Sequence, residues 1–314
     1  MNDLEEFNSD RTEFFFELLW DCKRFLVAAI TVSALASLVT ALLLPNVYEA
    51  RVLLAPKDDD GAGGLSRLAA QYGGLASLAG IDISSIGNEG LPKAKLAMER
   101  MRSLTFFESQ IYEEVVVELM AFDSWNLDKQ QGSIDPDIFD EKKGVWVREF
   151  RPPYKLKPSA QETHEKFLKE ALIINENDES GLVSVIVEHK SPVLAKRWVE
   201  LLVNRASEEI RAQDIDEARR AIEFLEALRD QNSIVVLDDV FAQLIEEKTK
   251  TILLAEVSEN YVFDIIEEAV VPEFKVRPRR ALICIFGTLI GGILAVFLVL
   301  AVPPGSKLSK LISV

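Results

Sequence analysis

Two uncharged apolar blocks constrain this chain more than any other feature: residues 25–44 and residues 281–302. At about 1.5 Å per residue, each is long enough as a helix to cross the roughly 30 Å hydrocarbon core of a bilayer. A core helix of that length would carry a polar face, and neither block has one. The first block exceeds the apolar stretch of about 7–15 residues of a cleaved signal peptide, so it reads as an uncleaved signal anchor. The chain then divides into a tail (1–24), a first span (25–44), a large central domain (45–280), a second span (281–302) and a second tail (303–314). Two spans place both tails on one side of the membrane.

Charge falls unevenly on these parts. The 314-residue chain has 35 basic and 51 acidic residues, a net charge of −16. The central domain carries 44 of the acidic and 30 of the basic residues. Nucleic acid is therefore excluded as a partner, because phosphate contacts need a basic face. Near the spans, basic residues divide five to six between the tail side and the domain side, so the positive-inside rule gives no orientation. Lys23 and Arg24, directly before the first span, point to tails in the cytoplasm. The cysteines, Cys22 and Cys284, lie beside and inside the spans. A cysteine-free central domain suits an oxidising compartment.

Within the central domain, residues 47–54 read as a strand leaving the membrane. Eight of the fifteen glycines fall between Gly61 and Gly90, and residues 65–80 read as a weak helix interrupted by Gly73 and Gly74. Helices are expected over 92–102 and 106–121, and residues 123–158 read as loop. Ser159 and Glu162 suggest a capping box that opens a helix to about residue 170. Residues 172–174 and 182–187 flank a polar turn and read as a hairpin. From Pro192 to about residue 231 no further Pro or Gly occurs, and apolar residues recur at helical spacing. Forty helical residues reach about 60 Å, far beyond a typical helix. A second helix is expected over about 234–257, and residues 261–271 read as a strand returning to the membrane.

The first and last strands should pair, because both ends of the domain meet one membrane face. The expected fold class is α+β: a membrane-proximal α/β base with a long protruding helix, anchored by two transmembrane helices. One apolar stripe on a 60 Å helix needs a partner, either the following helix or another copy. Leu194, Trp198, Leu201, Ile222 and Leu225 are the candidate oligomer-helix residues of an expected homo-oligomer.

The residues of catalysis are sparse. His164 sits in a Glu-rich helix and reads as solvated; His189 ends a strand and reads as a surface residue. Neither has a His or Cys at metal-ligand spacing. No nucleophile elbow, dinucleotide fingerprint or phosphate loop occurs. Asp58 to Gly61 and the group Asp135, Asp137, Asp140 and Glu141 read as solvated carboxylates. No catalytic residue, metal or cofactor is expected. The run from Val271 to Arg280 is more pointed. Pro272 and Pro278 forbid helix, and Lys275, Arg277, Arg279 and Arg280 would sit at headgroup level. They read as lipid anchors, or as contacts to a lipid-diphosphate substrate or a partner enzyme's membrane face. In the spans, Gly287, Gly291 and Ala295 form one small-residue ridge. Ala29, Ser33, Ser37 and Ala41 form another, so transmembrane packing between the two is expected.

These features, in this order, resemble the Wzz-type polysaccharide chain length determinants, also called polysaccharide co-polymerases. The resemblance is carried by Leu18, Leu19, Trp20 and Lys23 before the first span. Leu44 and Pro45, then Tyr48, Glu49 and Ala50, follow it, and the small-residue stretch 65–80 is similar. So are the VEHKSP segment of residues 187–192, Ile245 to Glu247, Leu254 and Ala255, and Tyr261 to Phe263. The Pro-containing run 269–280 and the glycine-bearing second span complete it. Lys275 and Glu268 stand where the family often has proline, which alters the detail of span entry. The resemblance implies a two-span protein of the bacterial inner membrane with a periplasmic domain. It implies a homo-oligomer that sets the modal length of lipopolysaccharide O-antigen. The implied partners are the O-antigen polymerase and lipid-linked polysaccharide. No catalysis of its own is implied. Alternatives are a co-polymerase of capsule or exopolysaccharide acting with a separate kinase, a two-span periplasmic sensory receptor, and an anchored glycan hydrolase using paired carboxylates. Tails of 24 and 12 residues leave no room for a fused kinase or a signalling module, which sets the expectation against the receptor.

Overall fold

The computed structural model describes residues 23–57, 92–231 and 235–301. The expected weak helix at 65–80, the Asp58–Gly61 turn and most of both tails lie outside the described residues. The chain falls into two units, Met1–Val47 with Lys275–Val314, and Tyr48–Phe274.

The first unit holds two long apolar helices, α1 (Lys23–Leu43) and the C-terminal α8 (Arg280–Ala301). The second unit begins with β1 (Val47–Pro56). Helix α2 (Lys93–Arg102), a single turn α3 (Leu104–Phe106), a π-helical turn over Phe107–Ile111 and α4 (Tyr112–Met120) follow. Two small hairpins come next: β2 (Phe122–Asn126) with β3 (Gln131–Ile134), and β4 (Phe139–Asp140) with β5 (Val145–Trp146). Helix α5 (Ala160–Glu170), strands β6 (Leu172–Glu176) and β7 (Val183–His189), helices α6 (Pro192–Gln231) and α7 (Val235–Val257) and strand β8 (Phe263–Glu267) complete it. A short strand β9 (Lys275–Arg277) belongs to the first unit.

The sheet runs in the order β6–β7–β1–β8 with antiparallel neighbours. First and last strands therefore pair, Leu53 opposite Glu267 and Pro56 opposite Phe263. Alternation explains the buried face. Tyr48, Ala50, Val52 and Leu54 point inward from β1, and Val183, Val185 and Val187 from β7, as a period-2 strand with one solvated side requires. Helices α2, α4, α5 and the first turns of α6 cover that face.

Three differences from the sequence reading have physical causes. Residues 123–158 carry the two hairpins rather than loop alone; β2 and β3 are mostly polar and exposed, and β4 and β5 are only two residues each, too short for alternation to show. The final strand covers only 263–267, because Tyr261 and Val262 turn inward as core residues before the ladder begins. The expected helix over 106–121 contains the π-turn, whose extra residue shifts the helical face. That shift lets Phe106, Phe107, Ile111, Tyr112, Val115, Val116 and Leu119 all be buried.

The capping signal at Ser159 is half realised. Its Oγ accepts the Glu162 N–H at 3.2 Å, satisfying one orphan donor of α5. The Glu162 carboxylate, which a full box would send back to Ser159, instead takes two bonds from Arg148, at 2.6 and 2.8 Å.

Candidate functional site

The small-residue ridges meet. Helices α1 and α8 pack side by side, and both are long and apolar enough to cross a membrane. The Ser33 hydroxyl donates to the Gly287 carbonyl at 2.8 Å. A Cβ at Gly291 would lie 1.9 Å from Ser33 Oγ, and one at Gly287 would lie 2.4 Å from Ser37 Cβ. No side chain fits there, so glycine is a packing requirement at both positions. Ser37 donates to its own helix at the Ala34 carbonyl, while Ala41 and Ala295 are buried. The outward faces of both helices expose Val, Leu, Ile and Phe, among them Val32, Leu43, Ile285 and Phe297.

The basic entry to the second span is partly tied down. Arg280 donates through Nε to the Ala41 carbonyl at 3.1 Å and through Nη2 to Asn46 Oδ1 at 3.3 Å. The same Asn46 oxygen accepts from Lys275 Nζ at 2.9 Å. Arg280 thus satisfies an orphan carbonyl in the last turn of α1 with a cation, the favourable charge for that helix end. Arg277 also has a partner within the chain. Arg279 is exposed, Pro278 is half-buried, and its carbonyl accepts the Arg280 N–H at 3.0 Å. Pro272, in the second unit, is half-buried.

The long helix α6 serves two clusters. Its first turns lie on the sheet, where Trp198 is fully buried between the rings of Phe167 and His189. Leu194 and Leu201 pack at the margin of that core. Its far half has α7 as its partner, and Leu225 is buried with Val240, Phe241 and Leu244. Trp198 and Leu225 are thus core positions of the subunit and leave no side chain for another copy. Ile222 is half-buried.

Trp198 belongs to a polar junction that the sequence reading missed. Its indole N–H donates to Glu118 Oε2 at 3.1 Å, while Arg197 donates to Glu118 Oε1 at 3.0 Å. Arg205 and Arg197 also reach Glu114. His189 sits beside Trp198 with Phe122 edge-on to its ring. It is buried, not a surface residue: the start of α6 and residue Phe122 close over the end of β7. The Ser191 N–H donates to His189 Nδ1 at 3.0 Å, which makes Nε2 the protonated nitrogen, donating to the Glu118 carbonyl at 3.2 Å. Burial, with Lys190 and Lys166 nearby, pushes the imidazole pKa from 6.5 down to about 4. Lys166 is itself lowered by burial. His164 is only partly exposed, with Nε2 at 3.0 Å from the Arg102 carbonyl and its ring against Phe107.

The depressed His189 pKa carries a pH prediction. Above pH 6.5 the imidazole is neutral in both folded and unfolded chains, and its contribution to stability is fully present. As pH falls through 6.5 the unfolded chain takes up a proton that the folded chain refuses until about pH 4. Stability should therefore drop across that window, by on the order of 3 kcal/mol at its lower end. Urea midpoints of the wild type and of His189→Gln between pH 7 and pH 4 check this. The wild-type curve should fall more steeply; parallel curves would contradict the assignment.

A second junction fixes the return to β8. The Tyr261 hydroxyl donates to Asp214 Oδ2 at 2.7 Å and accepts from Lys93 Nζ at 2.9 Å, which also pairs with Asp214 at 3.1 Å. Burial pushes the phenol pKa up to about 12. Arg211 donates to the Ser258 and Glu259 carbonyls at 2.6 and 2.8 Å. Nothing in residue spacing could have found this, because Lys93, Asp214 and Tyr261 come from distant parts of the chain. Among the described residues, no three His, Cys, Asp or Glu side chains are grouped to hold a metal ion.

Residues 225–302 match the GNVR family model, described as a G-rich domain on putative tyrosine kinase. The segment covers the end of α6, all of α7, β8, β9 and α8. No curated protein sequence matches the chain. Solved structures similar to the chain at low scores include two polysaccharide co-polymerases. One is a full-length bacterial polysaccharide co-polymerase, with 12% identity, coverage of 91% of this chain and 95% of that one, and a TM-score of 0.37. The other is a fragment of WzzB, a polysaccharide co-polymerase from Salmonella Typhimurium, with 12% identity, coverage of 74% and 99%, and a TM-score of 0.30. Residues 225–302 thus resemble a GNVR domain, about a quarter of the chain, running from the end of α6 to α8.

Proposed function

We propose that the chain is a non-enzymatic regulator of polysaccharide chain length. It sets the modal length of the lipopolysaccharide O-antigen that an inner-membrane polymerase makes. The observation that carries this reading is the GNVR match, which runs from the long helices through the Pro-containing segment into the second apolar helix. In this reading α1 and α8 span the bacterial inner membrane, the residues between them face the periplasm, and copies assemble into a homo-oligomer. Gly287, Gly291, Ala295, Ser33 and Ser37 hold the spans together. The span-entry run (Pro272, Lys275, Arg277, Pro278, Arg279 and Arg280) meets the polymerase or lipid-linked polysaccharide. Arg279, exposed beside the bonded Arg280, is the cation best placed to do so. Leu194, Leu201 and Ile222 are the helix positions that retain partial exposure for contact between copies.

One observation favours a second reading. The matched domain takes its description from putative tyrosine kinases, which suits a co-polymerase of capsule or exopolysaccharide working with a separate kinase. Deleting the gene and resolving lipopolysaccharide and secreted polysaccharide by size separates the two. Loss of the modal O-antigen band supports the first reading. An altered secreted polymer with unchanged lipopolysaccharide supports the second, and no change in either would sink both.

A further inference from the structure

One arginine holds residues 147–157 in shape. Besides its two bonds to Glu162, Arg148 donates to the Lys155 carbonyl at 2.5 and 3.2 Å and to the Leu156 carbonyl at 3.0 Å. The two side chains of the Arg148–Glu162 pair are only 14% and 15% exposed. The C-terminal side of the loop is fastened as well. The Tyr112 hydroxyl donates to the Pro158 carbonyl at 2.5 Å, and Lys157 pairs with Glu113 at 2.9 Å. At the crest the Tyr154 N–H donates to the Arg151 carbonyl at 3.0 Å, and Pro152 and Pro153 fix two φ angles.

This rigid crest presents what the core does not use. Phe150 is 51% exposed and Tyr154 56%, with Val147 and Leu156 exposed beside them. Arg151 and Lys155 are exposed too, and their side chains have no hydrogen bond or ion pair among the described residues. Aromatic residues and arginine on a preorganised surface are the usual anchors of protein interfaces.

A second rigid feature lies at the same end of the subunit. Helix α5 reverses direction at Ala171 into β6, and Arg102 records this. Its carbonyl meets His164 midway along α5, and its guanidinium meets the Ile174 carbonyl midway along β6. The start of α5, and the loop before it, therefore lie toward the β6–β7 turn. That turn is built by Asn177 Oδ1, which accepts the N–H groups of Glu179 and Ser180 at 2.9 and 3.0 Å, and by Gly181 at φ +67°. Around it Glu176, Asp178 and Glu179 are exposed.

We infer that the 147–157 crest of one copy docks on the acidic 176–179 turn of a second copy. A chain of net charge −16 repels its own kind unless surfaces of opposite sign are brought face to face. Arg151 and Lys155 of the crest, which also exposes one acid, Glu149, and the turn's Glu176, Asp178 and Glu179 are such a pair, presented at one level of the subunit. Because two different patches meet, the contact is head-to-tail, the type that closes into rings. This inference rests on the homo-oligomer of the proposed function.

The test uses the full chain in detergent, sized by light scattering, with far-ultraviolet circular dichroism as the folding check. Arg151→Glu with Lys155→Glu should raise the concentration for half-assembly by about tenfold or more. Glu176→Lys with Asp178→Lys and Glu179→Lys should do the same. Combining the two sets should restore assembly, a rescue that no folding defect would give. A wild-type chain that is itself monomeric overturns the oligomer reading. Wild-type assembly that survives both charge reversals overturns this inference alone. Unchanged assembly with lost binding to phosphatidylglycerol vesicles assigns the crest to a lipid surface instead and equally overturns it.

Discussion

Replacing Trp198 by alanine is expected to destabilise the second unit by about 3–5 kcal/mol, the range for truncating a fully buried aromatic. The indole fills the space between Phe167 and His189, and its N–H satisfies one oxygen of Glu118. Removing it opens a cavity and leaves a carboxylate short of a donor. A domain stable by about 5–15 kcal/mol loses much of its margin. Trp198→Phe keeps an aromatic ring but loses the donor and part of the indole's volume, so it should cost clearly less. Urea denaturation followed by circular dichroism at the helix band checks both. Equal midpoints for Trp198→Ala and wild type would show that this contact is not central to the core.

The second large effect concerns the spans. Gly291→Leu should force α1 and α8 apart, because even a Cβ at that position meets Ser33. Overpacking of this kind costs about 1–3 kcal/mol, and here it also breaks the Ser33–Gly287 hydrogen bond. The neighbouring Gly292 provides the control. A Cβ there meets Ile30 at an ordinary 3.7 Å, so Gly292→Leu should be tolerated. Thermal unfolding of the three proteins in detergent distinguishes them. If Gly291→Leu and Gly292→Leu behave alike, the two helices do not pack through this ridge in the membrane.

How much of this was legible in the sequence depends on the range of the interactions. The long helix α6 could be read because forty residues run without a further Pro or Gly after Pro192, and helix-forming periodicity is local. Strands β1, β6 and β7 were legible for the same reason; the β6–β7 hairpin followed from its polar turn, and the pairing of β1 with β8 from the expectation that both ends of the domain meet one membrane face. The hairpins between Phe122 and Trp146 were not, because the first is built of mostly exposed polar strands and the second of strands two residues long, and neither shows alternation. His189 was misread because its burial depends on Phe122, remote in the chain, and on the way α6 folds back to set Trp198 against its ring. The roles of Arg280 and Lys275 at Asn46 were equally hidden: composition gives a basic cluster, and only the fold shows which cations are already bonded. The Arg148–Glu162 pair replaced half of a capping box for a similar reason, since a charged partner binds a carboxylate more strongly than a backbone N–H does.

On the proposed function, this chain sets polymer length and does not make polymer. The most direct measurement compares total repeat units with their size distribution in cells carrying wild type, Gly291→Leu or no copy. The expected result is an unchanged total, with the defined modal length lost or shifted in the variant and the null. A fallen total with the mode intact in whatever polymer remains would contradict it.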